Sequence, residues 1–383
     1  MRIAINTRFL LKNKLEGIGW FTFEVIRRFV KLNPQHQFYF FFDRPYDERF
    51  LFEDNITPVV LNPPARHPLL WYWWFEYSVP SALKKYNIDA FISTDGYLSL
   101  NTDLPQLLVI HDLAFEHYPK DVDWAASIYY RKYSKKYAQK ASRIITVSEY
   151  TKHDVNSQYG IDLKKIDVVY NGANSMYKPI SAPNKEKVRA HFSNGYPYFL
   201  YVGAIHPRKN VITLLKAFEQ FKETREHPHK LMIVGRWAWK NKELNGYLNT
   251  MKHKEDVLFM GSRQADELKD IIASAEAMMY LSYFEGFGIP VLESIYCEVP
   301  VIISDRTSLP EVAGEGGPQL DPFDVEGIEA AMNSIVVDES LRTQYVEAGR
   351  AQKQKFSWNL SAERFNQSFI KFAAENNLNN KLT

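Results

Sequence analysis

Eleven short runs of apolar, β-rich residues recur along the 383-residue chain, each parted from the next by a longer amphipathic or polar stretch. The first half holds RIAIN (2–6), QFYFFF (37–42), DAFIS (89–93), QLLVI (106–110), RIITV (143–147) and DVVY (167–170). The second holds YFLYV (198–202), KLMIV (230–234), VLFM (257–260), AMMYL (277–281) and VPVII (299–303). Strands that are apolar throughout and alternate with helical segments predict parallel sheets covered on both faces, an α/β class of doubly wound type. One twisted sheet rarely holds so many strands, and a chain of this length exceeds one core, so two domains are expected. The turn-rich stretch NGANSMYKPISAPNKEK (171–187) carries the break, giving residues 1–175 and 176–357.

Composition narrows the functions open to such a chain. Hydrophobic residues make up 45% and charged residues 24%, as in ordinary globular proteins. The net charge of +2 offers no global field for nucleic acid. A single cysteine, Cys297, excludes a disulfide framework and a cysteine-based zinc site. The start, MRIAINTRFL, lacks a signal peptide's apolar core and cleavage site, which points to the cytoplasm. LLWYWWFEY (69–77) is intensely apolar but far shorter than the roughly 20 residues a membrane-spanning helix needs.

In open parallel sheets ligands bind beyond the carboxyl ends of the strands, so motifs that follow the apolar runs carry the most weight. After YFLYV comes GAIHPRKN (203–210), with Arg208 and Lys209 just before a helix expected to begin near Asn210. Cations beside a helix start are unfavourable unless an anion joins them, so the pair points to a diphosphate. After AMMYL comes YFEGFGIPVLES (283–294), where Glu285 and Glu293 bracket seven residues. Gly286 and Gly288 let the backbone approach a ligand, Phe287 supplies an apolar wall, and Pro290 suits a helix start. Glu293 is expected in the first helical turn and Glu285 in the loop, each able to bind a hydroxyl-bearing group.

After QLLVI comes HDLAFEHYP (111–119), which sets His111 where a strand meets a loop, with Asp112 as a cap or turn former. Gly17 and Gly19 precede an amphipathic helix, as in a loop that approaches phosphate, but the third glycine of a dinucleotide fingerprint is missing. Asp121-Val122-Asp123 follows no apolar strand and reads as a helix cap rather than a metal motif. RKYSKKYAQKASR (131–143) carries six basic residues and no acids; a solvated face is the leading account, and contact with anionic lipid or an acidic acceptor the other.

In combination these stretches resemble the retaining family 4 glycosyltransferases of the GT-B fold. The resemblance rests on the two glutamates around GFGIPVLES, on GIG (17–19), HDLAF (111–115), TVSEYTKHDV (146–155) and VVYNG (168–172), and on GAIHPRKN and SLPEVAG (308–314). It implies two Rossmann-like domains facing across a cleft, the first on the acceptor side and the second holding a nucleotide-sugar. The final helix, 358–376, would cross back onto the first domain. By motif match, Arg208, Lys209 and the amides around Gly286, Phe287 and Gly288 would bind the diphosphate. Glu293 would bind ribose hydroxyls and Glu285 the transferred sugar. Met260 and Gly261 would lie near the base, His111 beside the reacting carbon, and Gly17 and Gly19 over the phosphates. No metal or other cofactor is implied.

Within the family the motif set looks most like bacterial mannosyltransferases of surface polysaccharide synthesis, which implies GDP-mannose as donor. A UDP-sugar donor, a nucleotide-sugar epimerase and an inactive nucleotide-binding module are the alternatives. A glycan or lipid-linked acceptor is implied, with a peripheral contact at the inner membrane face left open. Three departures stand out: Trp20 where an arginine often follows GIG, Ala204 where an arginine sometimes stands, and IVGRWAWK (233–240) with Arg236 in place of a more glycine-rich loop.

Overall fold

A computed structural model describes residues 1–12, 15–224, 226–237 and 242–381. The chain divides into two compact units, Met1–Asn171 with Trp358–Thr383, and Gly172–Ser357. The first unit is built on seven strands: β1 (Arg2–Asn6), β2 (Gln37–Phe42), β3 (Ile56–Val60), β4 (Ala90–Ser93), β5 (Gln106–Ile110), β6 (Arg143–Thr146) and β7 (Ile166–Val168). They lie in the order β3-β2-β1-β4-β5-β6-β7, every pairing parallel. The second unit holds β8 (Tyr198–Val202), β9 (Lys230–Val234), β10 (Val257–Gly261), β11 (Ala277–Tyr280), β12 (Val301–Ser304) and β13 (Gln319–Leu320), in the parallel order β10-β9-β8-β11-β12-β13.

Every residue of β4, β5, β6, β8, β11 and β12 is buried, as the unbroken apolar runs require of strands covered on both faces. Two of the thirteen strands among the described residues escape the apolar pattern. β3 contains Pro58, which cannot donate to a ladder, and it lies at a sheet edge where that loss is tolerated. β13 is only two residues long and lies at the edge of the other sheet.

In both sheets the winding direction reverses once, between β1 and β4 in the first and between β8 and β11 in the second. Loops leaving adjacent strands part to either side at such a point and open a crevice. The segments that follow β1, β4, β8 and β11 are therefore the ones the topology sets up to hold ligands.

The last long helix, Trp358–Glu375, belongs to the first unit and packs on the first helix, Gly17–Leu32. Phe29 meets Phe365 and Phe369 edge-on at 5.1 and 5.0 Å, and all three rings are fully buried. Arg143 at the start of β6 ties this helix in further, donating to Asp167 and to Glu375. Among the described residues no helix is long and apolar enough to cross a membrane.

Candidate active site

At the reversal in the second sheet, the chain leaving β8 enters a short 3-10 turn, Pro207–Lys209. Asn210 ends the turn in the left-handed conformation, φ 54°, which asparagine tolerates better than most side chains. Its buried amide donates to the Leu281 carbonyl just after β11, pinning the two loops together. The helix that follows begins at Val211, so Arg208 and Lys209 sit in a separate turn ahead of it.

Both cations converge on one carboxylate. Arg208 Nη1 donates to Glu285 Oε2 at 3.1 Å and to the Phe284 carbonyl at 2.9 Å, and Lys209 Nζ pairs with Glu285 Oε1. Lys209 also donates to the Tyr280 hydroxyl, 2.9 Å away. Burial alone would raise the Glu285 carboxyl. The charges of Lys209 and Arg208, with the hydrogen bond from Lys209, outweigh it and hold the group at about 2. Glu285 is thus ionised throughout the physiological range.

The glycine loop is held from behind. The buried Ser308 hydroxyl lies 3.0 Å from the carbonyls of both Glu285 and Phe287, while the Glu285 amide donates to Thr307 Oγ1 at 3.1 Å. Gly288 has φ 103°, and a Cβ there would fall 2.7 Å from Leu309. Only glycine fits that bend. Phe287 does not form the expected apolar wall: its ring is buried and meets Phe356 edge-on at 5.7 Å, so it anchors the loop from beneath.

The helix opened by this loop runs Ile289–Tyr296, with Pro290 among its first two residues. Glu293 lies beyond the first turn, which holds no acidic residue. Its carboxyl instead meets the Tyr177 hydroxyl, and burial pushes it up to about 8 with only a partial offset from that hydrogen bond. The environments of the two glutamates therefore shift their carboxyls in opposite directions.

Met260 and Gly261 lie within β10, at the far edge of the sheet, two strands from β8. They are not part of the Arg208–Lys209–Glu285 cluster. The strand-end loops between them are stitched together: Gly203 N donates to Val234 O and Gly235 N to Gly261 O, both at 2.9 Å. Arg236 accepts from Ile205 N through its carbonyl, and Trp237 stacks on Phe259 at 5.5 Å. Residues 238–240 of the IVGRWAWK stretch lie outside the described residues.

In the first unit, His111 follows β5 beside the β1–β4 reversal. Its Nε2 lies 2.8 Å from the Thr94 carbonyl, an acceptor, so Nε2 carries the hydrogen and Nδ1 presents a lone pair. Burial lowers its pKa, opposed in part by that hydrogen bond and by Asp112 and Asp95, which keeps the ring neutral. Asp112 forms a turn, accepting from Ala114 N, and Asp123 caps the helix Trp124–Lys140.

Gly17 and Gly19 do not precede the first helix but form its opening turn. A Cβ on Gly19 would come 2.8 Å from the Phe9 carbonyl, so this glycine lets the chain after β1 lie against the helix. That same chain carries Arg8, buried and paired with Asp95, its guanidinium 4.1 Å from the Tyr97 ring centroid.

Sequence reasoning gave no role in the site to Tyr280, Asn210, Thr307, Ser308 or Tyr177. Tyr280, a hydroxyl at the carboxyl end of an apolar strand, and Asn210, an asparagine before a helix, were readable signals. Thr307, a β-branched residue at φ 59°, carries no pattern that announces it.

Residues 15–175 match the family model described as Glycosyltransferase Family 4, and residues 184–352 that described as Glycosyl transferases group 1. The chain belongs to the glycosyltransferases. This glycosyltransferase is 30% identical over 253 residues to O-antigen chain mannosyltransferase B of Escherichia coli, the match spanning 65% of each chain. It is 29% identical over 282 residues to O-antigen chain mannosyltransferase RfbU of Salmonella typhimurium, covering 73% of this chain and 74% of that one. Anabaena HepE, solved in complex with UDP-glucose, superposes with a TM-score of 0.76 at 16% identity over 97% of this chain and all of its own. That likeness shows the GT-B fold.

The elevated Glu293 pKa fixes a pH dependence. A carboxyl that is easier to protonate when folded contributes stability below its ordinary value of 4.5, and that contribution is lost as pH rises to about 8. Thermal melting across this window is expected to show Glu293→Gln falling less steeply than the parent. Parallel profiles would mean that Glu293 ionises without cost.

Proposed function

We propose that the chain is a retaining, metal-independent hexosyltransferase that moves mannose from GDP-mannose to a hydroxyl of a glycan or lipid-linked acceptor in surface polysaccharide synthesis. The observation that carries this reading is the convergence of Arg208 and Lys209 on Glu285 at the reversal in the second sheet. In the reaction the bond from the anomeric carbon to the diphosphate oxygen breaks. The acceptor oxygen bonds to that carbon on the same face, and its proton leaves with the departing phosphate. Negative charge grows on the diphosphate as the bond breaks, and two cations fixed beside it lower the barrier. They supply the charge stabilisation a divalent ion provides elsewhere.

The two glutamates suit different hydroxyls. Glu285, ionised, accepts strong hydrogen bonds from the sugar. Glu293, near neutrality at physiological pH, gains affinity for ribose hydroxyls on losing its proton, so nucleotide binding draws that proton off. The His111 lone pair at Nδ1 accepts from a hydroxyl of the transferred sugar. The mannosyl assignment is supported by the two O-antigen mannosyltransferases, and a UDP-linked sugar is the second reading, supported by the UDP-glucose bound to HepE.

Purified protein incubated with GDP-mannose or UDP-glucose, with and without acceptor extract and EDTA, tests the proposal. Nucleotide release from GDP-mannose that needs acceptor and resists EDTA is expected. Acceptor-independent release of an isomerised sugar indicates an epimerase, binding without turnover an inactive module, and EDTA-sensitive release ends the metal-independent account.

Lys209→Ala is expected to weaken GDP binding by about 1.5–3 kcal/mol in calorimetry, the worth of a charged hydrogen bond. Unchanged affinity removes Lys209 from the site. Glu285→Gln is expected to reduce turnover far more than nucleotide affinity, and equal losses in both would refute its contact with the sugar.

A further inference from the structure

The helix Pro68–Trp73, of sequence PLLWYW, buries none of its six residues. Leu69 is 75% exposed and Trp73 54%, and Leu70 and Tyr72 are exposed beside them, with Tyr77 on the π-helical turn that follows. So apolar a ridge facing water calls for a partner. The ridge is fixed rather than loose: Trp71 donates through Nε1 to the Ala65 carbonyl at 3.0 Å and stacks on Tyr130 of the helix Trp124–Lys140.

That second helix continues the same surface with a different chemistry. Tyr72 meets Tyr133 at 5.6 Å, and the ammonium groups of Lys132 and Lys136 lie 5.2 and 5.8 Å from the Tyr133 ring centroid. Next to them runs a shallow groove of about 830 Å³, lined by Lys120, Trp124, Ile128, Arg131, Lys132 and Lys135 among others. Trp124 is 77% exposed. The helix itself carries no acidic residue. Of the nearby acids, Glu116 accepts from the Tyr159 hydroxyl, Asp123 caps the helix and Asp103 pairs with Lys140.

We propose that this face rests on an anionic lipid bilayer, with Leu69, Leu70 and Trp73 in the boundary between headgroups and acyl chains, and Arg131, Lys132, Lys135 and Lys136 on the headgroup phosphates. Aromatic side chains with polar edges favour that boundary, and lysine and arginine beside them reach anionic headgroups while their stems stay in apolar surroundings. A second copy is disfavoured, because the basic stripe would face its own like. The proposal is independent of the transfer reading, since binding to vesicles needs neither donor nor acceptor.

Sedimentation with vesicles tests it. The full chain is expected to pellet with vesicles of phosphatidylcholine mixed with phosphatidylglycerol, to stay in solution with phosphatidylcholine alone, and to be released by salt. Replacing Lys132, Lys135 and Lys136 together by serine is expected to weaken binding at least tenfold, each charge near such a surface being worth about fivefold. The pair Leu69→Ser and Trp73→Ser is expected to weaken it as much even in low salt. The lysines are exposed, so their variant decides the question if the apolar one melts early.

A parent protein left in solution with anionic vesicles, or a lysine variant that pellets like the parent, overturns the proposal. So does retention by RNA or an acidic polypeptide without any binding to vesicles.

Discussion

Glu285 holds two positive charges together where the second sheet reverses its winding. Arg208 and Lys209 are neighbours in sequence, and the mutual repulsion of these partly buried charges is offset by the carboxylate between them. The surrounding structure serves that contact. Asn210 sets the turn that aims the cations, Tyr280 takes one of the lysine's hydrogens, and Ser308 fixes the backbone on both sides of Gly286. A cluster poised in this way is ready for an anion that competes for the same cations, without the need to assemble them first.

The glutamates that bracket the glycine loop look equivalent in sequence and differ in chemistry. One lies between two cations and is pulled to about 2; the other, desolvated beside a tyrosine, is pushed to about 8. Pairs of carboxyls driven apart by their environments are a common means of giving one site two roles. Here the division follows from position. Glu285 lies in the loop beneath the cations, whereas Glu293 has turned into the helix and faces Tyr177.

Much of this was legible in the residues. Apolar runs gave eleven strands because burial on both faces leaves an unbroken pattern, and the two it missed are edge strands, where Pro58 and a two-residue length erase the pattern. Loops beyond strand ends supplied Arg208, Lys209, Glu285 and His111, since topology forces ligand-facing residues there. What failed was orientation. Phe287 turns inward, Glu293 lies beyond the first helical turn, and Gly17 and Gly19 lie inside a helix rather than ahead of it. Spacing shows that a residue is near a loop, but the direction of its side chain depends on partners distant in sequence, such as Phe356 and Tyr177.

The contact between Glu285 and the two cations makes one structural demand that a crystal with bound GDP examines directly. The diphosphate is expected to be seated on Arg208 and Lys209, with backbone amides of the Gly286–Gly288 loop turned toward it and no metal ion between. A diphosphate lodged elsewhere, or chelated to magnesium with the Glu285 ion pairs untouched, would contradict it.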